Sequence, residues 1–300
     1  MNFRDLEYLI ALEELKHFRK AADKCFVSQP TLSGQIRKLE EELNVQLMER
    51  SSRKVIFTPA GNDIVAKAKT IILEAKSLRE IAKSHNEPMH GTLHIGLIPT
   101  VAPYLLPLVI PAIKEAFPDL ELYLHENQTH VLLKQLEEGE LDCLMLALLP
   151  GMEQFRQLDL YDEPLELALS EKHAWANKKE INLQQLRGEH VLMLADGHCL
   201  RDQAMGFCFA AGAIEDNSFK ATSLETLRHM ISAENGLTLL PQLAIPLSRN
   251  QSGVKYIPFE TPRPSRKITL LSRNNSARQV CFNELAKLIN KAVEAKLNEY

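Results

Sequence analysis

What this chain lacks narrows its class before anything it contains. In 300 residues no apolar run approaches the ~18 residues a membrane span needs. The stretch Met1–Phe18 is charged and amphipathic, without a basic leader, an unbroken apolar core or a small-residue cleavage site. A cytoplasmic protein with no membrane partner is expected. Cysteines are few: Cys25, Cys143, Cys199, Cys208 and Cys281, with no CxxC pair, which argues against a disulfide framework, a thioredoxin motif or a zinc ribbon. In a reducing compartment these are thiols by default, so any disulfide among them is regulatory or catalytic. No three His, Cys or carboxylate residues have zinc-ligand spacing, and neither a metal nor a cofactor is expected. The one tryptophan, Trp175 in HAWAN, reads as packing. A basic excess is missing too. Net charge is −4, and residues 1–60 hold ten Lys/Arg against nine Asp/Glu, so any case for nucleic acid must rest on a local element.

What is present is a folded protein of two parts. Hydrophobic residues make up 45% and charged residues 25%, the composition of a globular chain rather than a disordered tail. The first 90 residues read as helical. Leu6, Leu9, Ile10 and Leu12 form an apolar face, and Ser28 with Pro30 opens a helix whose Leu32, Ile36, Leu39 and Leu43 recur at helical steps. A short hairpin-like stretch, Arg53–Phe57, precedes a long helix begun by Thr58-Pro59-Ala60-Gly61. Ile64, Ala68, Ile71, Ala75, Leu78 and Ala82 line one side of that helix, a narrow seam suited to a dimer stalk. The polar, Pro- and Gly-containing segment His85–Gly91 marks the domain boundary. Beyond it strands are expected at Thr92–Leu97, Leu120–His125, Cys143–Leu148, Leu165–Leu169, His190–Leu194, Leu237–Leu240, Val254–Pro258 and Ile268–Ser272. Helices are expected at Pro103–Phe117, His130–Glu138, Leu200–Ala211, Leu224–Glu234 and Arg278–Leu297. The alternation predicts an α/β fold with mainly parallel sheets, divided into two lobes with a crevice between them. The domain limits follow: 1–58, 59–87 for the linker helix, and 88–300. Lobe I takes about 88–162 and 268–300, and lobe II about 163–267.

Within the first domain, Phe18–Asp23 and Ser28–Glu40 are two helices joined by a tight turn at Phe26–Ser28. The second begins with small and polar side chains, Ser28, Gln29, Pro30, Thr31, Ser33 and Gln35. Their amides and hydroxyls reach base edges in a major groove, and nothing bulky blocks the approach. Arg4, Arg37, Lys38, Arg50, Arg53 and Lys54 are candidates for phosphate contacts, which fix register without reading sequence. On pattern alone a plain amphipathic helical hairpin remains open.

The segment resembles the winged helix-turn-helix of LysR-type transcriptional regulators through AAD, VSQPTLSGQIRKLEEELNVQLMER and TPAG. The resemblance extends over the whole chain. It implies an all-α winged helix-turn-helix, a dimerising linker helix and a two-lobed α/β effector domain like periplasmic binding proteins. It also implies a homotetramer built from dimers on double-stranded promoter DNA, with contact to RNA polymerase. Gln29, Pro30, Thr31, Ser33 and Gln35 match the base-reading group.

A second constellation is Asp196-Gly197-His198-Cys199-Leu200-Arg201 followed by Phe207-Cys208. A reactive cysteine is a thiolate, which cations or a helix N-terminus favour. Cys199 is flanked by His198 and Arg201 at an expected helix start, so both are candidate thiolate stabilisers. Cys208 lies between Phe207 and Phe209, where a thiol stays protonated. If residues 199–208 are helical, nine steps of ~1.5 Å separate the Cα atoms by roughly 13 Å. A disulfide needs them within about 7 Å, so joining the pair requires the segment to unfold. Two buried, inert cysteines are the bland alternative.

The runs GHCLRDQAMGFC and LHIGLIPT resemble the peroxide-sensing members of the LysR type. That implies an activator of antioxidant genes, with hydrogen peroxide as the signal. Cys199 would be the peroxidatic cysteine and Cys208 the resolving one. Thr100, Thr129, His198 and Arg266 match the peroxide pocket, and glutathione with glutaredoxin is the implied reductant. On their own residues, Thr100 and Thr129 stand at helix starts beyond strand ends, where α/β folds place ligands, although ordinary N-caps would look the same. Two other readings stay open. One is a LysR-type regulator that binds a metabolite between its lobes. The other is an enzyme using Cys199 and His198 as nucleophile and base, disfavoured because helical neighbours point about 100° apart.

Overall fold

The computed structural model describes residues 1–50, 55–84, 88–233, 236–248 and 253–299. The chain divides into two compact units, Met1–His85 and Asn86–Tyr300.

In the first unit, helices α1 (Phe3–Leu15), α2 (Phe18–Lys24) and α3 (Gln29–Leu43) surround a core of Leu6, Leu9, Leu12, Ala21, Ala22, Leu32, Ile36 and Leu39. Local chemistry sets each start. Asn2 and Asp5 cap α1 reciprocally, and the Ser28 hydroxyl accepts from the Thr31 N–H at 3.3 Å. Strands β1 (Met48–Arg50) and β2 (Val55–Phe57) pair antiparallel as the wing. Helix α4 (Pro59–Ser84) then starts where the Thr58 hydroxyl accepts from the Gly61 N–H at 3.0 Å. A Cβ on Gly61 would lie 2.0 Å from the Leu47 carbonyl oxygen, so only glycine lets α4 begin against the wing. Val65 and Ala68 of α4 are buried in this core, whereas Leu78 on the same helix is 69% exposed.

The second unit carries strands β3 (Gly91–Leu97), β4 (Leu120–Glu126), β5 (Cys143–Ala147), β6 (Arg156–Ser170), β7 (His190–Leu194), β8 (Ile214–Ala221), β9 (Leu237–Pro241), β10 (Val254–Pro258) and β11 (Ser265–Ser272). Its helices are α5 (Ala102–Ala116), α6 (Thr129–Glu137), α7 (Cys199–Ala210), α8 (Leu224–Ser232) and α9 (Gln279–Leu297). The strands form one continuous nine-stranded sheet in the order β4-β3-β5-β11-β6-β9-β7-β8, with β10 also on β6. The expectation of mainly parallel pairing is corrected. β3 pairs parallel with β4 and β5, and β7 with β8 and β9, but β11 and β6 run antiparallel to their neighbours. These two strands carry the chain between lobes. Residues 156–164 of β6 pair with β11, and residues 165–170 pair with β9 and β10.

Two cores result. One gathers Leu93, Ile95, Leu97, Leu144, Leu146, Leu270 and Phe282 under α5, α6 and α9. The other gathers Leu167, Leu169, Val191, Leu192, Leu239, Ile257 and Phe259 under α7 and α8. Burying such side chains at roughly 25 cal/mol per Å² of apolar area is the dominant stabilisation of each lobe. Two strands lie outside the expectation: β8, whose sequence IEDNSFKA is mostly polar at the sheet edge, and the first half of β6.

Candidate functional site

The first unit presents the α3 N-terminus to solvent. Gln29, Pro30, Thr31 and Ser33 are exposed and Gln35 is half-buried, while Leu32 and Ile36 hold the other face in the core. Thr31 is also part of the helix cap, its hydroxyl 2.7 Å from that of Ser28. Arg4, Arg37 and Lys38 are exposed, and Arg37 donates Nε to Glu41 at 3.0 Å. Arg53, Lys54 and the Arg50 side chain lie outside the described residues.

In the second unit, α7 carries both cysteines of interest on one unbroken helix, and both are free thiols. Cys199 is its first residue and Cys208 lies in its last turn, so the ~13 Å separation set by helical rise holds in this state. The two side chains enter different cores. Cys199, 5% exposed, packs in the lobe I core, and Cys208, 2% exposed, packs in that of lobe II. The α7 start reaches lobe I because the loop before it seats on the α6 start. Gly197 has φ +92° there, and a Cβ on it would lie 2.7 Å from Oε1 of Gln128, the residue before Thr129. The left-handed φ is what calls for glycine here; the Gln128 side chain could move aside.

Around the Cys199 sulfur the sheet crossover supplies a buried cation. Arg266 on β11 faces Glu163 on β6 as its cross-strand partner, with Nη2 and Oε2 2.8 Å apart and both side chains almost fully buried. Arg266 Nε donates to Glu163 Oε2 at 2.9 Å, Nη1 to the Thr100 hydroxyl at 2.8 Å, and Nη2 to the Thr100 carbonyl at 2.9 Å. Glu163 Oε1 accepts from the Leu243 N–H at 3.1 Å. A guanidinium has five N–H donors. The three hydrogen bonds use one N–H each on Nε, Nη1 and Nη2, and the Nη2–Glu163 contact adds an ion pair. The Thr100 oxygen accepts from Arg266, which leaves its own proton to donate. Thr129 is buried at the α6 start, and its Oγ1 has no conventional hydrogen-bond partner among the described residues, although it lies beside the Cys199 sulfur. Arg266 and the Thr129 hydroxyl thus act on the thiol, and Thr100, held by Arg266, keeps a hydroxyl proton to donate, a set of groups able to hold a small molecule that both donates and accepts.

The electrostatics bear on two expectations. Burial pushes the Cys199 thiol up, opposed by the positive charge of Arg266, the Thr129 hydroxyl and the backbone at Ala147 and Leu200. The largest lowering influence on Cys199 is thus Arg266. Arg201 faces Glu215 at 2.9 and 3.1 Å, Asp196 at 3.3 Å and Asp202 at 3.4 Å, so its charge is already compensated. His198 does not supply a charge either. Its side chain is buried, and burial lowers the imidazole below its ordinary value, which leaves it neutral near pH 7. It stays next to the thiol in sequence as the N-cap of α7, without a side-chain capping bond. Cys208 is pushed up to about 12 by burial alone. Glu163 and Gln128 were not foreseen; a carboxylate opening the apolar run Leu165–Leu169 was the available signal for the first.

The remaining cysteines lie in packing positions. Cys143 and Cys281 are buried in the lobe I core, and Cys25 caps the C-terminus of α2. Trp175 packs on the lobe II core with Lys178 5.1 Å above its ring. No helix among the described residues is long and apolar enough to cross a membrane.

Comparison with known proteins agrees with this architecture. Residues 3–62 match the bacterial regulatory helix-turn-helix protein family of the lysR type, and residues 86–294 match the LysR substrate binding domain. The DNA-binding transcriptional dual regulator OxyR of Escherichia coli strain K12 is 56% identical over 299 residues, covering 100% of this chain and 98% of that protein. The crystal structure of oxidised OxyR is 54% identical with a TM-score of 0.65, covering 69% of this chain and 98% of that one. The reduced form is 51% identical with a TM-score of 0.64, covering 69% and 97%. The enzyme reading of Cys199 and His198 is thereby replaced: this chain belongs to the OxyR group of the LysR family, which are DNA-binding transcription regulators.

Proposed function

We propose that this chain senses hydrogen peroxide at Cys199 and passes the signal to promoter DNA through a disulfide with Cys208. One observation carries the reading. The two thiols sit on one helix but in two different cores, and only Cys199 has donors and a cation around it. In the first step the Cys199 thiolate attacks one peroxide oxygen. The O–O bond breaks, hydroxide leaves and takes up a proton, and Cys199 becomes a sulfenic acid. Thr100, Thr129 and Arg266 bind peroxide and stabilise the departing oxygen, with neutral His198 beside them. In the second step the Cys208 sulfur displaces the sulfenic oxygen as water, so two thiols are oxidised and one peroxide is reduced. The disulfide cannot span an intact α7, so the helix must open and both side chains must leave their cores.

The output belongs to the first unit. Gln29, Pro30, Thr31, Ser33 and Gln35 read bases, and Arg4, Arg37, Lys38, Arg50, Arg53 and Lys54 contact phosphates. The limits 1–58, 59–87 and 88–300 serve as DNA-binding, dimerisation and sensing segments in a cytoplasmic protein. The exposed Leu78 on α4 suits pairing with a second copy. RNA polymerase contact, a tetramer and reduction by glutathione with glutaredoxin complete the reading.

The test is to treat the reduced chain with one equivalent of peroxide, block free thiols and map the peptides by mass spectrometry. A Cys199–Cys208 link, lost in Cys199→Ser together with the redox change in DNA footprint, is expected. Free thiols at both positions would overturn the mechanism.

A further inference from the structure

At one edge of lobe I the sheet ends in β4, paired only with β3. The strands run parallel with His94 opposite Tyr123 and Gly96 opposite His125, so His94 and His125 are diagonal neighbours on one face. Tyr123 and His125 are exposed and His94 is half-buried, at the open edge of a face that Leu132 of α6 covers farther in, against Gly96. His94 Nδ1 and His125 Nε2 are 3.1 Å apart. The Tyr123 ring stacks on His94 at 5.1 Å and fixes its plane. The backbone beneath is held as well: the His94 N–H donates to Asp142 Oδ2 at 2.7 Å, and the Asp142 N–H donates to the His94 carbonyl at 2.9 Å.

We propose that His94 and His125 form a binding site for one divalent first-row transition-metal ion at the exposed β4 edge of lobe I. Two imidazole nitrogens at ~2.0–2.1 Å from a common ion, subtending about 98°, are separated by about 3.1 Å. That is the spacing found between the two rings, intermediate between octahedral and tetrahedral bites. A modest ring rotation would turn the two lone pairs from each other toward the ion, and the shared proton would leave as the ion enters. No third His, Cys, Asp or Glu completes the set among the described residues. Water would therefore fill the other positions, giving an exchangeable site rather than a closed structural one. Imidazole pairs favour copper, nickel and zinc over magnesium and calcium, and the Irving–Williams order puts copper highest. The inference is independent of the peroxide chemistry, since it uses none of the same residues.

Nickel is the suitable probe because, unlike copper, it does not oxidise the thiols. Titration calorimetry of the full chain with Ni2+ should find one ion per chain. Either His94→Asn or His125→Asn should weaken it by at least about tenfold, the lower bound for losing even a supporting contact to a metal ligand. His173→Asn, which changes an imidazole beside Trp175, should leave it intact. In the unsubstituted chain Ni2+ should broaden the ring NMR signals of His94, His125 and Tyr123 before any others, a readout that needs no variant to fold. Absence of saturable binding, binding untouched by both substitutions, or broadening that begins elsewhere would overturn the site and leave the pair as a hydrogen bond between strands.

Discussion

Gly206 sits inside α7, between the two cysteines and exposed to solvent, where an added Cβ would meet nothing within 4 Å. Glycine in a helix interior costs roughly 0.5–1 kcal/mol relative to alanine, mainly in backbone entropy. Gly206→Ala should therefore stabilise the helical, reduced state by that amount. For a unit of this size it should raise the melting temperature by roughly 1–4 °C. The proposed disulfide state cannot keep the helix, so it gains nothing from alanine. Stabilising the reduced form alone makes reduction easier and moves the couple to a more positive potential. At about 30 mV per 1.4 kcal/mol for two electrons, the shift is roughly +10 to +20 mV. The assay is equilibration against glutathione buffers of graded potential, with the thiol and disulfide fractions counted by mass after alkylation. A higher melting temperature with no change in potential would show that residues 199–208 stay helical in both states. That outcome would refute the helix-opening argument. A shift to more negative potential would show that the disulfide state prefers alanine, which is equally fatal.

Three other perturbations test the site itself. Glu163→Gln leaves the buried Arg266 charge uncompensated and should destabilise the second unit by about 3–5 kcal/mol in urea unfolding, while lowering the pH at which Cys199 ionises by ultraviolet titration; the double variant with Arg266→Met should recover much of the loss, and failure to recover would place the cost elsewhere. Thr129→Val removes a buried hydroxyl without a conventional partner, so stability should hold or rise while the peroxide reaction, followed by stopped flow, slows on the order of a hundredfold; an unchanged rate would remove Thr129 from the pocket. Cys208 binds its proton more tightly when folded, so its contribution to stability is complete below the ordinary value of 9.0 and is lost as pH rises toward about 12; Cys208→Ala should flatten the alkaline decline of the melting temperature across that window, and an unaltered slope would show that the thiol is not buried as described.

Much of this molecule could be read from its sequence because the signals were local. The run Cys143–Ala147 is buried at every position, and its strand is legible as an unbroken apolar stretch. Ser28 with Pro30 marks a helix start by its own chemistry, and Gly61 marks another. The unread features are those in which sequence distance and spatial distance part company. Strand β8 turns inward only at its end, where Phe219 and Ala221 reach the lobe II core, too short a pattern to read as period two, so IEDNSFKA looks like a loop. The antiparallel crossover at β6 and β11 joins residues more than 100 apart, as Glu163 and Arg266 are, and leaves no local trace. Arg201 shows the converse error. Two residues along a helix is about 200° of rotation, so a side chain next to Cys199 in sequence points away from it and toward Glu215.

The placement of the cysteines also explains why a sensor of this kind needs two lobes. A thiol pair within one core could close with small side-chain movements, and its oxidation would barely be felt elsewhere. Here Cys199 is anchored among lobe I side chains while its helix otherwise belongs to lobe II. Packing of both thiols, together with the α7 backbone hydrogen bonds, therefore favours the reduced arrangement. On the proposed chemistry, the covalent S–S bond is the only term that favours the other. Such an element has two discrete states rather than a continuum, because close-packed cores do not deform gradually. The Glu163–Arg266 pair lies on the strands that join the lobes, so the same crossover that positions the cation beside Cys199 also ties one lobe to the other. On the proposed chemistry, a change at the sulfur therefore reaches the strands that both lobes share.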